Sequence, residues 1–185
     1  MKRTQSAPTR NALDLAVSGG RSSLLMILIF TAVNMLFIVL DVDRYFLFSA
    51  SVPYYLTMIG KGIDNGFVDG AWEINGTYAI TGLVISAVIL AVYLLCWLLS
   101  KKKTGWLTAA LVLFLLDTLA LVVFTFALYD DPMINLMDFL LHGWVIWELF
   151  RAVRSAAKRK KLPVENVHDF SDGIPTLDTE TEDYL

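Results

Sequence analysis

Long stretches without charged residues constrain this chain more than any other feature of its sequence. One runs from Ser22 to Leu40, a second from Tyr78 to Leu99, and a third from Gly105 to Leu128 holds a single charge, Asp117. A helix of about 20 mostly apolar residues crosses the hydrocarbon layer of a bilayer, which is about 30 Å thick. Because a soluble domain of 185 residues has no core large enough to bury such runs, we predict an all-α integral membrane protein.

A fourth span is predicted from Met133 to Phe150, where the apolar run is weaker because it contains Asp138, His142 and Glu148. Pro132 stands just before it, and proline suits the first turn of a helix. We therefore expect a four-transmembrane-helix bundle of bacterial type in the cell membrane. The spans cover about 22–40, 78–99, 105–128 and 133–150. The transmembrane domain, 22–161, follows an N-terminal segment, 1–21, and precedes an acidic tail, 162–185, that we expect to be disordered.

The apolar stretch from Tyr45 to Gly60 is too short for a further span, and Pro53 interrupts it. Cytoplasmic loops of membrane proteins are enriched in Lys and Arg. With four spans, the N-terminal segment, the lysines at 101–103 and the basic stretch after residue 150 all lie on one side. A fifth span would separate these groups, so we predict that both termini are cytoplasmic. The segment 45–60 is then interfacial or re-entrant on the outer face.

Basic residues cluster beside the predicted spans, where they would lie near anionic lipid headgroups and determine the orientation of the protein. This prediction rests on Lys101, Lys102, Lys103, Arg151, Arg154, Lys158, Arg159, Lys160 and Lys161. The lipid bilayer is thus the first expected partner. Because the basic runs all flank apolar spans, nucleic acid is not an expected partner.

Ionisable groups inside the predicted spans are costly in a bilayer and are therefore candidates for a functional site. Asp117 lies 13 residues before Asp130, in the turn between spans three and four, and His142 lies 12 residues after it. At about 1.5 Å per residue, the two side chains reach nearly equal depth in an antiparallel helix pair. Asp138 precedes His142 by four residues and shares its helix face.

Two further polar residues reach a similar depth in the other spans. Counting across the lysines at 101–103 brings Ser86 level with Asp117, and Asn34 lies near the middle of span one. We call the group Asn34, Ser86, Asp117, Asp138 and His142 the polar seam. Its members either hydrogen-bond between helices, at about 0.6–2 kcal/mol each, or form a path for protons or cations.

Signatures of enzymes and of metal sites are absent. The sequence shows no cysteine pair, no Gly-rich phosphate loop and no serine with a base nearby. The two histidines, His142 and His168, are far apart, so we expect no multi-histidine metal site and no cofactor. Asp64, Asp69 and Glu73 do not match the spacing of an EF-hand loop. A membrane-embedded enzyme built on the polar seam is therefore the least favoured function.

Two other functions stay open. The leading hypothesis is a non-enzymatic accessory or interaction subunit of a membrane assembly, whose C-terminal tail docks on a membrane or cytoplasmic protein. The alternative is a small oligomeric transporter or channel that uses the polar seam. Small residues at Gly82, Ser86, Ala87 and Ala91 permit close helix contact, either within the bundle or in a homo-oligomer.

Overall fold

The computed structural model describes residues 9–46, 49–66, 76–128 and 132–162, and these ranges are helical without any strand. Five α-helices are described. They cover Arg10–Val39 (α1), Ser51–Asp64 (α2), Thr77–Leu99 (α3), Gly105–Leu128 (α4) and Leu136–Arg159 (α5). A short 3-10 helix, Pro132–Asn135, leads into α5.

Three helices, α1, α3 and α4, are long and apolar enough to cross a membrane. Their most apolar windows have mean hydropathies of 2.4, 2.6 and 2.6. The all-helical prediction is therefore confirmed for the described residues, and three of the predicted spans have the length and composition they require. The helix α5 contains Asp138 and Glu148 and does not reach the same apolarity. The count of four spans and the side of each terminus stay predictions.

The helices α1 and α5 run side by side beyond the apolar part of the chain. The helix α1 begins at Arg10, well before the predicted span, as one continuous helix. Arg159 on α5 donates a hydrogen bond to Asp14 on α1 at 2.6 Å, and Val17 and Ala152 are both buried nearby. We call this end of the bundle, where α1 begins and α5 ends, the termini end. The opposite end, where α1 ends and α3 begins, is the loop end.

The helix α2 penetrates only half of the bundle. Its 14 residues rise about 21 Å, which is less than the thickness of a hydrocarbon core. It begins beside Asp117, the thirteenth of the 24 residues of α4. It ends next to the start of α3, where Oδ2 of Asp64 accepts a hydrogen bond from the N–H of Ala79 at 2.6 Å. The helix extends past the predicted segment 45–60, and its interfacial or re-entrant placement in a bilayer stays a prediction.

Small residues on α3 face two different neighbours. A Cβ added at Gly82 would lie 2.5 Å from the carbonyl oxygen of Leu56 on α2, so only glycine permits this approach. Ser86 also contacts α2. Ala87 and Ala91 instead line a groove beside α1. Gly82 and Ser86, two of the four small residues, therefore pack within the bundle.

Between the level of Asp117 and the termini end, the bundle is filled by a buried apolar cluster. Its fully buried members include Leu24, Ile27, Ala110, Phe114 and Leu149. Cys96 belongs to it as a small buried side chain. The loop end is more polar, and the candidate site lies where the two regions meet.

Several predictions concern residues outside the described ranges. The tail beyond residue 162 is one of them. Asp69 and Glu73, considered as cation ligands, are two others, and Asp130 of the predicted turn also lies outside. Within the described ranges, no group of three or more His, Cys, Asp or Glu residues has the geometry of a metal site.

Candidate functional site

The N-terminus of α2 is buried in the middle of the bundle, away from bulk water. The first four backbone N–H positions of a helix have no acceptor within that helix, and in α2 these are Ala50 to Pro53. Pro53 has no N–H, so three donors need partners. Because Ala50 and Ser51 are 0% and 4% exposed, each unmet donor would cost about 1–3 kcal/mol. The chain must therefore bring acceptors here from other helices.

Side chains of α1 and α4 supply those acceptors. The N–H of Ala50 donates to Oγ1 of Thr31 at 2.7 Å. The N–H of Ser51 donates to Oδ2 of Asp117 at 2.7 Å, and that of Val52 donates to Oδ1 at 2.9 Å. Every free donor at the start of α2 is thus satisfied.

His142 of α5 completes this cluster from the other side. Its Nε2 lies 3.3 Å from Oδ2 of Asp117 and 3.2 Å from Oγ of Ser51. Its Nδ1 lies 2.8 Å from the backbone carbonyl oxygen of Asp138. The imidazole stacks on Phe114 with ring centroids 4.9 Å apart. The structure therefore brings together Asp117 and His142, which residue counting places at equal depth.

The hydrogen-bond geometry restricts where protons lie in this cluster. A carbonyl oxygen only accepts, so we assign a proton to Nδ1 of His142 from its contact with Asp138. With Nδ1 protonated, Nε2 of a neutral ring accepts a hydrogen bond from the hydroxyl of Ser51 at 3.2 Å. A ring protonated at both nitrogens donates from Nε2 to Oδ2 of Asp117 at 3.3 Å instead. The geometry accommodates both states of the ring.

Ser51, His142 and Asp117 are adjacent but do not form a catalytic triad. The sequence predicts no serine beside a base, and this is wrong, because Ser51 and His142 meet although 91 residues separate them. In a catalytic triad the acid binds Nδ1 and the serine contacts Nε2. Here both contact Nε2, and a backbone carbonyl occupies Nδ1. Asp117 therefore does not orient the ring through Nδ1, as the acid of a triad does.

Asn34 and Ser86, the other central members of the polar seam, bind backbone rather than Asp117. Asn34 donates from Nδ2 to the carbonyl oxygen of Phe46 and accepts at Oδ1 from its N–H, both at 2.7 Å. Ser86 donates to the carbonyl oxygen of Pro53 at 2.8 Å and accepts from Thr57 at 3.0 Å. Both residues hold the segment that leads into α2 or its first turns.

Asp138 lies toward the loop end, beside a polar cavity of about 200 Å³. Its Oδ2 accepts from the hydroxyl of Tyr45 at 3.3 Å, and only its backbone carbonyl contacts His142. Ser51 and Asn135 also line this cavity. The cavity therefore reaches the edge of the Asp117–His142 pair from the loop end.

Sequence reasoning does not place Ser51, the first residue of α2, in this site. It does extend the polar stripe of Asp138 and His142 to Asn135. Asn135 donates from Nδ2 to Oγ1 of Thr125 at 2.9 Å and to the hydroxyl of Tyr55 at 3.2 Å. No spacing rule pairs these residues, because their contacts depend on how three helices pack.

Basic residues gather at the termini end, as their positions predict. Arg21 donates from Nε to Oγ of Ser100 at 3.1 Å, and the ammonium of Lys101 lies 4.6 Å from the Trp97 ring centre. Arg151 donates to Glu148 at 2.7 Å within α5. The other predicted headgroup residues of this end, Lys102, Lys103, Arg154, Lys158, Lys160 and Lys161, are exposed. Their role as lipid contacts stays a prediction.

No protein-family model, no curated protein and no solved structure matches this chain. The chemistry of the site must therefore be read from its own contacts. Those contacts describe a short helix whose buried N-terminus is held by the side chain of Asp117, with a polar cavity on one side and an apolar core on the other.

Proposed function

We propose that the protein is a non-enzymatic accessory subunit of a membrane assembly, crossing the bilayer four times with both termini cytoplasmic. The arrangement of its helices supports this topology. The basic residues of α1, the α3–α4 turn and α5 gather at the termini end, where Arg21 meets Ser100 and Arg159 meets Asp14. Positive charge on one side of the membrane marks the cytoplasmic face.

The observation that carries this proposal is an unpartnered apolar stripe on α5. Its members are spaced alternately by four and three residues, as in the contact seam of two packed helices. They are Leu136, Leu140, Gly143, Trp147 and Phe150, all exposed. A Cβ added at Gly143 would meet nothing within 4 Å, so the stripe has an open notch at its centre. Small residues flanked by large ones favour helix association in membranes.

The depth of two tryptophans supports the same conclusion. Tryptophan is enriched at the two membrane interfaces rather than in the hydrocarbon core. Trp144 and Trp147 lie within two turns of His142, near the middle of α5, and are 44% and 62% exposed. A partner helix packed on this stripe would cover both rings.

The polar seam favours an accessory role over transport because its groups are used in architecture. Both oxygens of Asp117 accept backbone donors of α2. Asn34 and Ser86 bind backbone as well. On the side of the termini end, apolar side chains such as Phe114 and Leu149 fill the space below the cluster. A continuous polar path would need groups where this apolar cluster lies.

Site-specific photo-crosslinking in native membranes tests the proposal. A photoreactive residue at Leu140 or Trp147 should give a defined adduct with a different protein. The same residue at Leu119 or Val123, equally exposed on α4, is the matched control and should label lipid only. Adducts between two copies of this chain, or equal labelling at all four positions, would contradict the proposal.

Truncation after Lys161 separates two modes of partner binding. If the partner docks on the tail, the truncated chain should lose the partner, and the crosslinks from α5 should disappear as well. If the stripe on α5 suffices, adducts at Leu140 should persist in the truncated chain. Complete retention of a co-purifying protein in both the truncated chain and a Gly143→Leu variant would exclude both surfaces.

A second candidate function, proton-coupled transport, is favoured by one specific observation. Asp117 and His142, 3.3 Å apart, both contact Ser51, which lines the polar cavity of about 200 Å³. Reconstituted vesicles test this directly with a pH-sensitive dye. Proton flux that is abolished by Asp117→Asn, with the variant still folded, would support transport and displace the accessory role.

A further inference from the structure

The polar cavity of about 200 Å³ between α2 and α5 is a pocket that is accessible at one end and closed at the other. Tyr45 is exposed at its rim, whereas Ser51, Tyr55 and Asn135 are buried deeper in its lining. A protein cavity of about 150 Å³ holds one benzene molecule. The pocket therefore has room for a small organic molecule.

The lining of this pocket is both polar and aromatic. Of the eight described residues that line it, seven carry a hydroxyl, an amide or a carboxylate, and Leu121 alone is aliphatic. Three of the seven are the tyrosines Tyr45, Tyr54 and Tyr55. Their ring centroids lie 5.8 Å and 5.3 Å apart in that order. Aromatic rings attract cations because the faces of the rings carry negative potential.

Asp138 is the only charged residue among the described residues that line the pocket. The four ion pairs of the described residues do not include it. Its Oδ2 accepts one long hydrogen bond, at 3.3 Å, from the hydroxyl of Tyr45. The imidazole of His142 contacts the backbone carbonyl of Asp138 rather than its carboxylate. Because charges inside proteins are normally paired, this carboxylate favours a positively charged ligand.

Other kinds of ligand match this lining less well. An anion would face the carboxylate of Asp138 without any Lys or Arg among the described lining residues. A calcium ion takes about six to eight oxygen ligands and usually more than one carboxylate. A bare alkali-metal ion would leave most of the volume to water, and a wholly apolar molecule would leave the carboxylate unpaired. An organic cation fits the charge, the volume and the aromatic rings together.

We propose that this pocket binds a small organic cation with an ammonium group, of about the size of choline. The ammonium group lies beside Asp138 and the tyrosine rings and supplies the counter-charge that the carboxylate lacks among the described residues. The ligand enters past Tyr45, from the loop end. This site is independent of the partner surface proposed on α5, because none of the stripe residues lines the pocket.

Calorimetric titration of the full chain in a non-ionic detergent tests the proposal. The probes are choline, ethanolamine and dimethylbutanol, the neutral carbon isostere of choline. We expect at least one of the two ammonium compounds to bind at least about tenfold more tightly than the isostere, because cation–π attraction and the carboxylate act only on the charge. Equal binding of all three would mean that any molecule of this size fills the pocket, and it would overturn the proposal.

Two further outcomes of the titration also decide against the proposal. No binding of either ammonium compound at millimolar concentration would show that water alone fills the pocket. Potassium chloride and sodium chloride are titrated in the same way. Saturable binding of an alkali-metal ion that excludes the preferred ammonium compound would assign the pocket to an inorganic cation instead.

Two variants test the roles of the carboxylate and of the rings. Asp138→Asn keeps the shape of the side chain and removes its charge, so it should lower the affinity for the preferred ammonium compound at least about tenfold. Binding of the isostere should not change. Tyr54→Leu removes one ring from the lining and should lower the affinity about two- to fivefold.

Asp43→Asn is the matched control, because Asp43 is an exposed carboxylate near the loop end that lines a different cavity. It should bind the ammonium compound like the native chain. An equal loss in Asp43→Asn and Asp138→Asn would mean that general surface charge attracts the cation, and it would contradict the assignment to the pocket. The comparison of choline with its isostere in the native chain decides the question even if a variant fails to fold.

Discussion

Asp117 on α4 holds the backbone of Ser51, the first residue of α2, with a hydrogen bond of 2.7 Å at the centre of the bundle. The carboxylate thus acts as a cap for a helix 66 residues away in sequence. Capping from a distant element lets a helix begin in the interior of the bundle without leaving backbone donors unmet. The position of α2 therefore depends on this contact.

Replacement of Asp117 by alanine should weaken the fold severely. The substitution leaves the N–H groups of Ser51 and Val52 without acceptors. Each unmet buried donor costs about 1–3 kcal/mol. Unfolding in a mixed micelle with increasing denaturing detergent measures this loss. The control Asp14→Ala removes an exposed pair and should cost less than about 1 kcal/mol. A similar loss in both variants would contradict the capping role.

The tautomer of His142 is directly measurable. We expect Nδ1 to carry a proton, because it lies 2.8 Å from the backbone carbonyl oxygen of Asp138. Nitrogen-15 NMR of protein labelled at histidine should show this, and a His142→Gln variant assigns the signal against His168, the other histidine. A neutral ring with its proton on Nε2 alone in the native chain would contradict the assignment.

Two glycines should respond oppositely to the same substitution. A Cβ at Gly82 would lie 2.5 Å from the carbonyl oxygen of Leu56, so Gly82→Ala must push α2 away from α3. Overpacking of this kind costs about 1–3 kcal/mol. Gly143→Ala meets nothing within 4 Å and should stabilise α5 by up to about 1 kcal/mol. Thermal unfolding followed by circular dichroism compares the two, and equal shifts would contradict the close approach of α2 and α3.

Loss of Asn34 should release the segment before α2. The side chain is 0% exposed and pairs with both backbone groups of Phe46. Asn34→Ala leaves those groups unmet, at about 1–3 kcal/mol each. Hydrogen exchange at the Phe46 amide should accelerate at least about tenfold, and limited proteolysis should cut nearby. Asn65→Ala, at an exposed residue, is the control. Unchanged exchange in Asn34→Ala would show that other contacts hold this segment.

Helix positions could be read from the sequence because lipid imposes a simple requirement. A span needs about 20 apolar residues whatever its neighbours are, so the runs from Ser22, Tyr78 and Gly105 correspond to α1, α3 and α4. Constant helical rise likewise let residue counting place Asp117 and His142 at equal depth. The sequence does not predict that α1 begins as early as Arg10, because this first part of the helix is stabilised by α5, which packs along it.

The sequence by itself therefore determined the three long apolar helices and the common level of Asp117 and His142. The tertiary structure alone decided the partners of those residues. Thr31, Asp117 and Ser86 come from three different helices and converge on the first turn of α2. The level of a side chain along its helix follows from counting residues. The direction in which it points around the helix axis depends on how the helices pack. A hydrogen bond requires that two side chains match in level and in direction, and only the folded bundle determines the direction.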